Sequence, residues 1–265
     1  MTDQLETYYR DHWVDVEDER MARYEAMFEW RDGLEALIAP ADVQPGLTVV
    51  DYGCGPGGLT IELARRVGSV GRVIAVDINR AFLERTRELV EQAGLAERVH
   101  TRLMEGDVIP VDDASVDRVI CKNVLEYVPD PEATIAEFFR IVRPGGVVHV
   151  SDSDWAGVVL EPLGERFAHL MSAASIAFRT PLIARSLYGM FRRAGCEDIQ
   201  VRILASADTS GGLRGVIANM ASYARISGRM DEAEINALLE DVDTALSDET
   251  YLAVLPQFLV TGYRA

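Results

Sequence analysis

Cysteine is scarce in this sequence. Its three copies, Cys54, Cys121 and Cys196, lie far apart and have no metal-ligand spacing. That excludes a disulfide framework, points to a reducing compartment and a cytoplasmic location, and leaves no metal site to expect. Long apolar runs are also missing. None approaches the roughly 20 residues that a bilayer span needs. The stretch MTDQLETYYRDHW has neither a basic region nor an apolar one, so no signal peptide is expected. Basic residues are in deficit, 26 against 43 acidic, for a net charge of −17. A nucleic-acid partner would demand basic patches, so none is expected, and nothing suggests a membrane partner. There is no internal repeat and no low-complexity tract.

The acid is unevenly placed. Residues 1–20 carry Asp3, Glu6, Asp11, Asp15, Glu17, Asp18 and Glu19 against only Arg10 and Arg20, and residues 229–250 carry eight acids against one arginine. Solvated surface is the plain reading. The sharper one is an acidic mouth for a cationic acceptor.

What is present is a strand–helix alternation over a chain of 265 residues, a length that suits one domain with an elaborated edge. GLTVVDYG is a short apolar run ending in turn residues, as a buried parallel strand should be. GGLTIELARRVG follows as a helix, GRVIAVDI as a second strand, and Asn79 can cap the next helix. RVHTRLMEGD, VDRVICKNV and GGVVHVSDSD supply the third, fourth and fifth strands, the last entered through the turn RPGG. Asp130-Pro131 opens the helix between the fourth and fifth. EDIQVRIL and LPQFLVTGYR read as a sixth and a terminal strand. The expectation is an α/β fold: seven strands, mostly parallel, with helices on both faces. Residues 1–40 read as a helical cap, and residues 41–265 as the main domain, with inserted helices at about 155–180 and 208–247.

The stretch VVDYGCGPGG places Gly53, Gly55 and Gly58 in a G-x-G-x-x-G pattern between a strand and a helix. Asp77 ends the next strand, 22 positions after Gly55. A dinucleotide fold shows the same features, with the acid on a ribose hydroxyl. Three features separate the readings. Asp51, two positions before Gly53, suits an ammonium group and repels a pyrophosphate. The EGD at the end of the third strand puts Asp107 at the sheet's carboxyl edge, where it can accept a hydrogen bond from an adenine amino group. A nicotinamide-side catalytic set, such as a Tyr/Lys pair, is absent.

These residues resemble the class I S-adenosylmethionine-dependent methyltransferases, especially small-molecule enzymes of the ubiquinone/menaquinone-biosynthesis type. VVDYGCGPGG, VIAVDIN, MEGDVIPVDDASVDRVICKNVLEYVPD and RIVRPGGVVHVSD carry the resemblance, in the family's order and spacing, over about residues 45–154. The resemblance implies a Rossmann-like, doubly wound sheet and S-adenosyl-L-methionine as cofactor. It implies that Asp51, Gly53 and Gly55, with Cys54 between them as a small buried residue, hold the methionine part. Asp77 would accept the ribose hydroxyls, with Ile78 beside the adenine. Gly106, Asp107 and Val108 would frame the adenine, and Asn123 would lie near the methionine end. The family often has a histidine where this chain has Tyr127.

The sulfonium methyl of such a cofactor is already activated, so an acceptor atom needs only to sit in line behind it, about 3–3.5 Å away. A base is needed only if the acceptor must lose a proton. Candidates are His12 in the N-terminal segment, and Asp152 and Asp154 just after the fifth strand. His149, inside that strand, reads as structural, and His169 is the weakest. Tyr8, Tyr9, Trp13, Phe28, Trp30, Trp155, Phe167, Phe178 and Tyr223 are possible pocket lining, fit for a flat, apolar or cationic acceptor. The expected function is O- or N-methylation of a small organic molecule, by a monomer or homodimer. A peptide carboxyl methyltransferase, a non-catalytic cofactor-binding regulator and an NAD-dependent oxidoreductase stay open as alternatives.

Overall fold

In the computed structural model, residues 5–14, 16 and 18–265 are described, without the side chains of Asp18 and Glu19. Asp3, Asp15 and Glu17 of the acidic N-terminal set thus lie outside the described residues. Among the described residues, the helices α1 (Tyr8–Val14), α2 (Asp18–Phe28) and α3 (Glu35–Ile38) precede the sheet. The alternation then runs β1 (Thr48–Tyr52), α4 (Gly58–Arg66), β2 (Arg72–Asp77), α5 (Arg80–Gln92), β3 (Val99–Leu103), β4 (Val116–Lys122), α6 (Pro131–Ile141) and β5 (Val142–Ser153). Beyond it come β6 (Val159–Glu161), α7 (Glu165–Ala173), α8 (Ile183–Arg193), β7 (Asp198–Leu204), α9 (Arg214–Ser227), α10 (Glu232–Ser247), β8 (Leu252–Val254) and β9 (Gln257–Tyr263).

Seven strands form one sheet in the order β3-β2-β1-β4-β5-β9-β7, and only β9 runs antiparallel to its neighbours. Helices cover both faces, as the Rossmann-like reading requires. β1 shows why its sequence is so apolar. Val50 and Tyr52 pack into one core cluster, with Val76, Phe138 and Val148, and Val49 packs into another, with Leu63, Val73 and Ile120. A strand buried on both faces reads as a continuous apolar run. The flanking helices begin where their caps are. Asn79 accepts from Phe82 N at 3.1 Å, and Asp130 accepts from Ala133 N at 3.0 Å with Pro131 in the first turn.

Three details differ from the expectation. β3 stops at Leu103, so EGD lies in the loop beyond the strand and not at its end. RPGG is not a turn before β5 but lies within it: the pairing with β4 jumps from Val116↔Val142 to Arg118↔Val147, so Arg143–Gly146 bulge out of register. Residues 155–180 hold a short strand as well as a helix, since β6 pairs antiparallel with β8 in a separate ribbon. That ribbon, α7, α9 and α10 enclose a third apolar cluster around Phe167, Leu170, Tyr223 and Leu238. Among the described residues no helix is long and apolar enough to cross a membrane.

Candidate active site

The strand order reverses at β1, with β2 on one side and β4 on the other. Open α/β sheets bind ligands in the crevice at the carboxyl ends of such strands. Here that crevice is a cavity of about 500 Å³, lined from below by β1, β2 and β4 with their following loops, and by Trp13, Val14 and Phe28 of the N-terminal helices.

The glycine loop forms the cavity's floor. Gly53 N and Cys54 N donate to Val76 O at 2.8 and 3.1 Å, which turns the chain back against β2. Gly53 has φ +70°, and a side chain there would collide with Val124, so only glycine fits. Cys54 is buried in the turn, and burial pushes its thiol up, which keeps it an unreactive packing group.

Two buried acids face the cavity from adjacent strands. Asp51 is 2% exposed and accepts from Thr60 Oγ1 at 2.6 Å. Asp77 accepts from Gly55 N at 2.8 Å and Asn79 N at 2.9 Å, so one carboxylate holds both the loop and the start of α5. Burial raises each to about 6, against the opposing pull of these hydrogen bonds. Ile78, Gly106, Asp107 and Asn123 complete the set on the wall. Asn123 N donates to Ser151 O at 2.8 Å, and Asn123 holds φ +53°. Val108 is not on the wall: it is 68% exposed, one residue past Asp107, where the chain has already turned outward.

The three candidate bases are not brought to the cavity wall. His12 is 4% exposed and sits within an aromatic stack, 4.8 Å from the Tyr8 ring and 5.2 Å from Tyr223. Asp152 is fully buried behind the wall. It accepts from Ser153 N at 3.1 Å and Leu125 N at 3.2 Å, and burial pushes it up to about 7. Asp154 takes a two-pronged contact from Arg185 at 3.0 and 2.8 Å. His149 is structural, with its ring between Thr261 Oγ1 at 2.8 Å and Leu37 O at 2.7 Å, and burial lowers it to about 4. His169 is exposed and pairs with Glu234 at 3.1 Å.

Of the possible aromatic lining, Trp13 and Phe28 reach the cavity, while Trp155, Phe167, Phe178 and Tyr223 belong to the third core cluster. Tyr127 reaches it too. Its ring stands edge-on to Trp13 at 4.9 Å, and the buried Glu126 next to it in sequence accepts from Trp155 Nε1 at 2.5 Å. Trp13 O accepts from Asn79 Nδ2 at 2.8 Å, which ties α1 to the cap of α5. None of the eight acids in residues 229–250 lines the cavity; Glu232, Asp241 and Asp243 pair instead with Arg225, Arg166 and Arg214 on the surface.

Sequence reasoning missed Lys122. It ends β4 and lines the cavity, with its ammonium 5.9 Å from the Phe28 ring. A compositional signal could have found it, because it is the single lysine among the 26 basic residues.

Comparison with known proteins bears on the family and the fold. A family described as "Methyltransferase domain" matches residues 44–195. A ubiquinone/menaquinone biosynthesis C-methyltransferase of Enterobacter is 30% identical over 125 residues, 47% of this chain and 49% of that one. An arsenite methyltransferase of Halobacterium salinarum is 38% identical over 112 residues, 42% of this chain and 28% of that one. The matches thus span half or less of the curated relatives. A phosphoethanolamine N-methyltransferase of Haemonchus contortus, solved with S-adenosyl-L-methionine, shares the fold at a TM-score of 0.66 and 15% identity, over 97% of this chain and 60% of that one.

Proposed function

Because the chain belongs to the class I S-adenosylmethionine-dependent methyltransferases, we propose that it moves the cofactor's methyl group to nitrogen or oxygen of a small organic acceptor. The observation that carries this reading is the convergence on one cavity of Asp51, the Gly53–Gly55 loop, Asp77 and Asp107. The residues fit the cofactor. The glycine loop leaves room for a ligand against its backbone, and Asp51 offers a carboxylate to an ammonium. Asp77 can accept two ribose hydroxyls, and Ile78, Gly106 and Asp107 stand where the adenine would lie. When bound, the cofactor supplies an activated sulfonium methyl. The protein's own contribution is position and dryness: Trp13, Phe28 and Tyr127 wall the methionine end, hold the acceptor in line and keep water out.

The Enterobacter relative's name speaks of methylation at carbon. That chemistry needs a base to create the carbanion. His12, Asp152 and Asp154 are all engaged away from the wall. An amine or an oxyanion brings its own lone pair and needs only placement, which favours nitrogen or oxygen. The three cysteines, all free and buried, fit a cytoplasmic protein.

A methyl-labelled cofactor, incubated with the protein and a panel of amines, phenols, carboxylic acids and activated carbon acids, tests this. Label on nitrogen or oxygen is expected. Label on carbon alone would contradict the choice of acceptor atom. No transfer to any acceptor, despite tight cofactor binding, would favour a regulator.

A further inference from the structure

Lys122 stands alone in a way that the other cations near the site do not. Arg10, also on the cavity wall, is exposed and pairs with Asp11 at 2.9 Å. The Lys122 ammonium makes no hydrogen bond and has no carboxylate within 4.0 Å among the described residues. Its charge is nevertheless surrounded by acid: Asp51, Asp152 and Glu126 all act on it electrostatically. Desolvation pulls its ammonium down while those acids hold it up. Lys122 is half-buried; an ammonium drawn out of water without a hydrogen-bond partner is costly, and this one opens onto the cavity.

Its place in the sheet says what could satisfy it. β1 and β4 are neighbours, paired Asp51↔Ile120 and Tyr52↔Cys121. Lys122 therefore extends one residue past the last pair, beside the mouth of β1 where Asp51 sits. Thr60 takes Asp51 Oδ2, and no described donor reaches Oδ1. An acid and a base thus stand on adjacent strands, unbridged, both toward the same cavity. A lone anion placed there would meet Lys122 but also the repulsion of Asp51, Asp152 and Glu126. A zwitterion, with ammonium and carboxylate on one carbon, answers both charges at once.

We infer that Lys122 binds the α-carboxylate of the cofactor's amino-acid end, forming with Asp51 a two-charge clamp across the β1–β4 seam. This assignment rests on the cofactor reading above and adds to it a residue and a named group of the ligand. It also gives the chain a means to reject adenosine compounds that lack the carboxylate.

Calorimetric titration with S-adenosylmethionine and with decarboxylated S-adenosylmethionine tests it, on the wild type and on K122M and K122R. The wild type should bind the first more tightly by about 10- to 100-fold, the range for a charge-assisted hydrogen bond in a dry site. K122M should lose that preference by weakening only the carboxylate-bearing ligand. K122R, which keeps the charge, should retain most of it. Equal wild-type affinity for the two ligands overturns the assignment without need of any variant. Equal weakening of both by K122M also overturns it, since that is the effect of a lysine that merely balances buried acids. If the wild type binds neither ligand, the cofactor reading itself fails and this one falls with it.

Discussion

At the level of single residues, the cavity wall carries two carboxylates whose burial is costly and whose partners are few. Asp77 is the more committed, holding Gly55 N and Asn79 N while leaving lone pairs toward the cavity. D77A should weaken S-adenosylmethionine binding by about 1–3 kcal/mol, because ligand hydroxyls would be buried unpaired. Unchanged affinity by calorimetry would refute the ribose role. Asp51 sets a pH dependence. Burial raises it to about 6, so between about pH 4 and that pH the folded protein keeps a proton that the unfolded chain has already lost. The part of stability owed to that proton is present at low pH and fades as pH rises through 6. Ligand binding runs the other way, since only the carboxylate attracts an ammonium. Affinity should be flat above pH 7 and fall by up to about tenfold per pH unit below 6. Affinity unchanged from pH 7.5 to pH 5 would remove Asp51 from the ammonium site.

At the scale of the element, the glycine loop is fitted to the N-terminal helices as well as to a ligand. A side chain at Gly58 would collide with the backbone carbonyl of Phe28, the last residue of α2. G58A should therefore cost about 1–3 kcal/mol as overpacking, and limited proteolysis should cut the N-terminal helices faster than in the wild type. An unchanged melting temperature with unchanged proteolysis would show that α2 is not seated against the loop. This contact was invisible in the sequence, where Gly58 reads only as part of a ligand motif. The central strands were legible for a physical reason: β1 and β2 are buried on both faces, so Val49, Val50, Val73 and Val76 leave an uninterrupted apolar signature. The β6–β8 ribbon was not, because its strands are three residues long and Val159 is 47% exposed. Asp107 reaches the cavity from the loop four residues past Leu103, where β3 ends, and the next step to Val108 depended on where the chain turned.

At the scale of the whole molecule, the parts fall into a sheet that presents acids at one edge and a helical cover that supplies aromatic rings. The sheet's share of the site followed from spacing in one stretch of chain, and Asp51, Gly53, Gly55 and Asp77 all reach the cavity. The cover's share did not. His12 lies close to Trp13 in sequence and in space, 4.9 Å between rings, yet only Trp13 lines the cavity. Which of two neighbours on a helix faces a ligand is decided by tertiary packing, here of His12 against Tyr127 and Tyr223. Lys122 was hidden for the same reason: a charge at the end of a strand reads as solvated until the helix carrying Phe28 is laid over it. The large net negative charge proved no guide to the site, because the acids of α10 pair with arginines on the surface.

This cavity is shaped for S-adenosylmethionine and not for a dinucleotide. Calorimetric titration of the purified protein with S-adenosylmethionine, S-adenosylhomocysteine and NAD, one at a time, tests it most directly. Binding of the first two without NAD is the predicted result. Binding of NAD alone would contradict the roles of Asp51 and Asp107, and with them the whole assignment of the site.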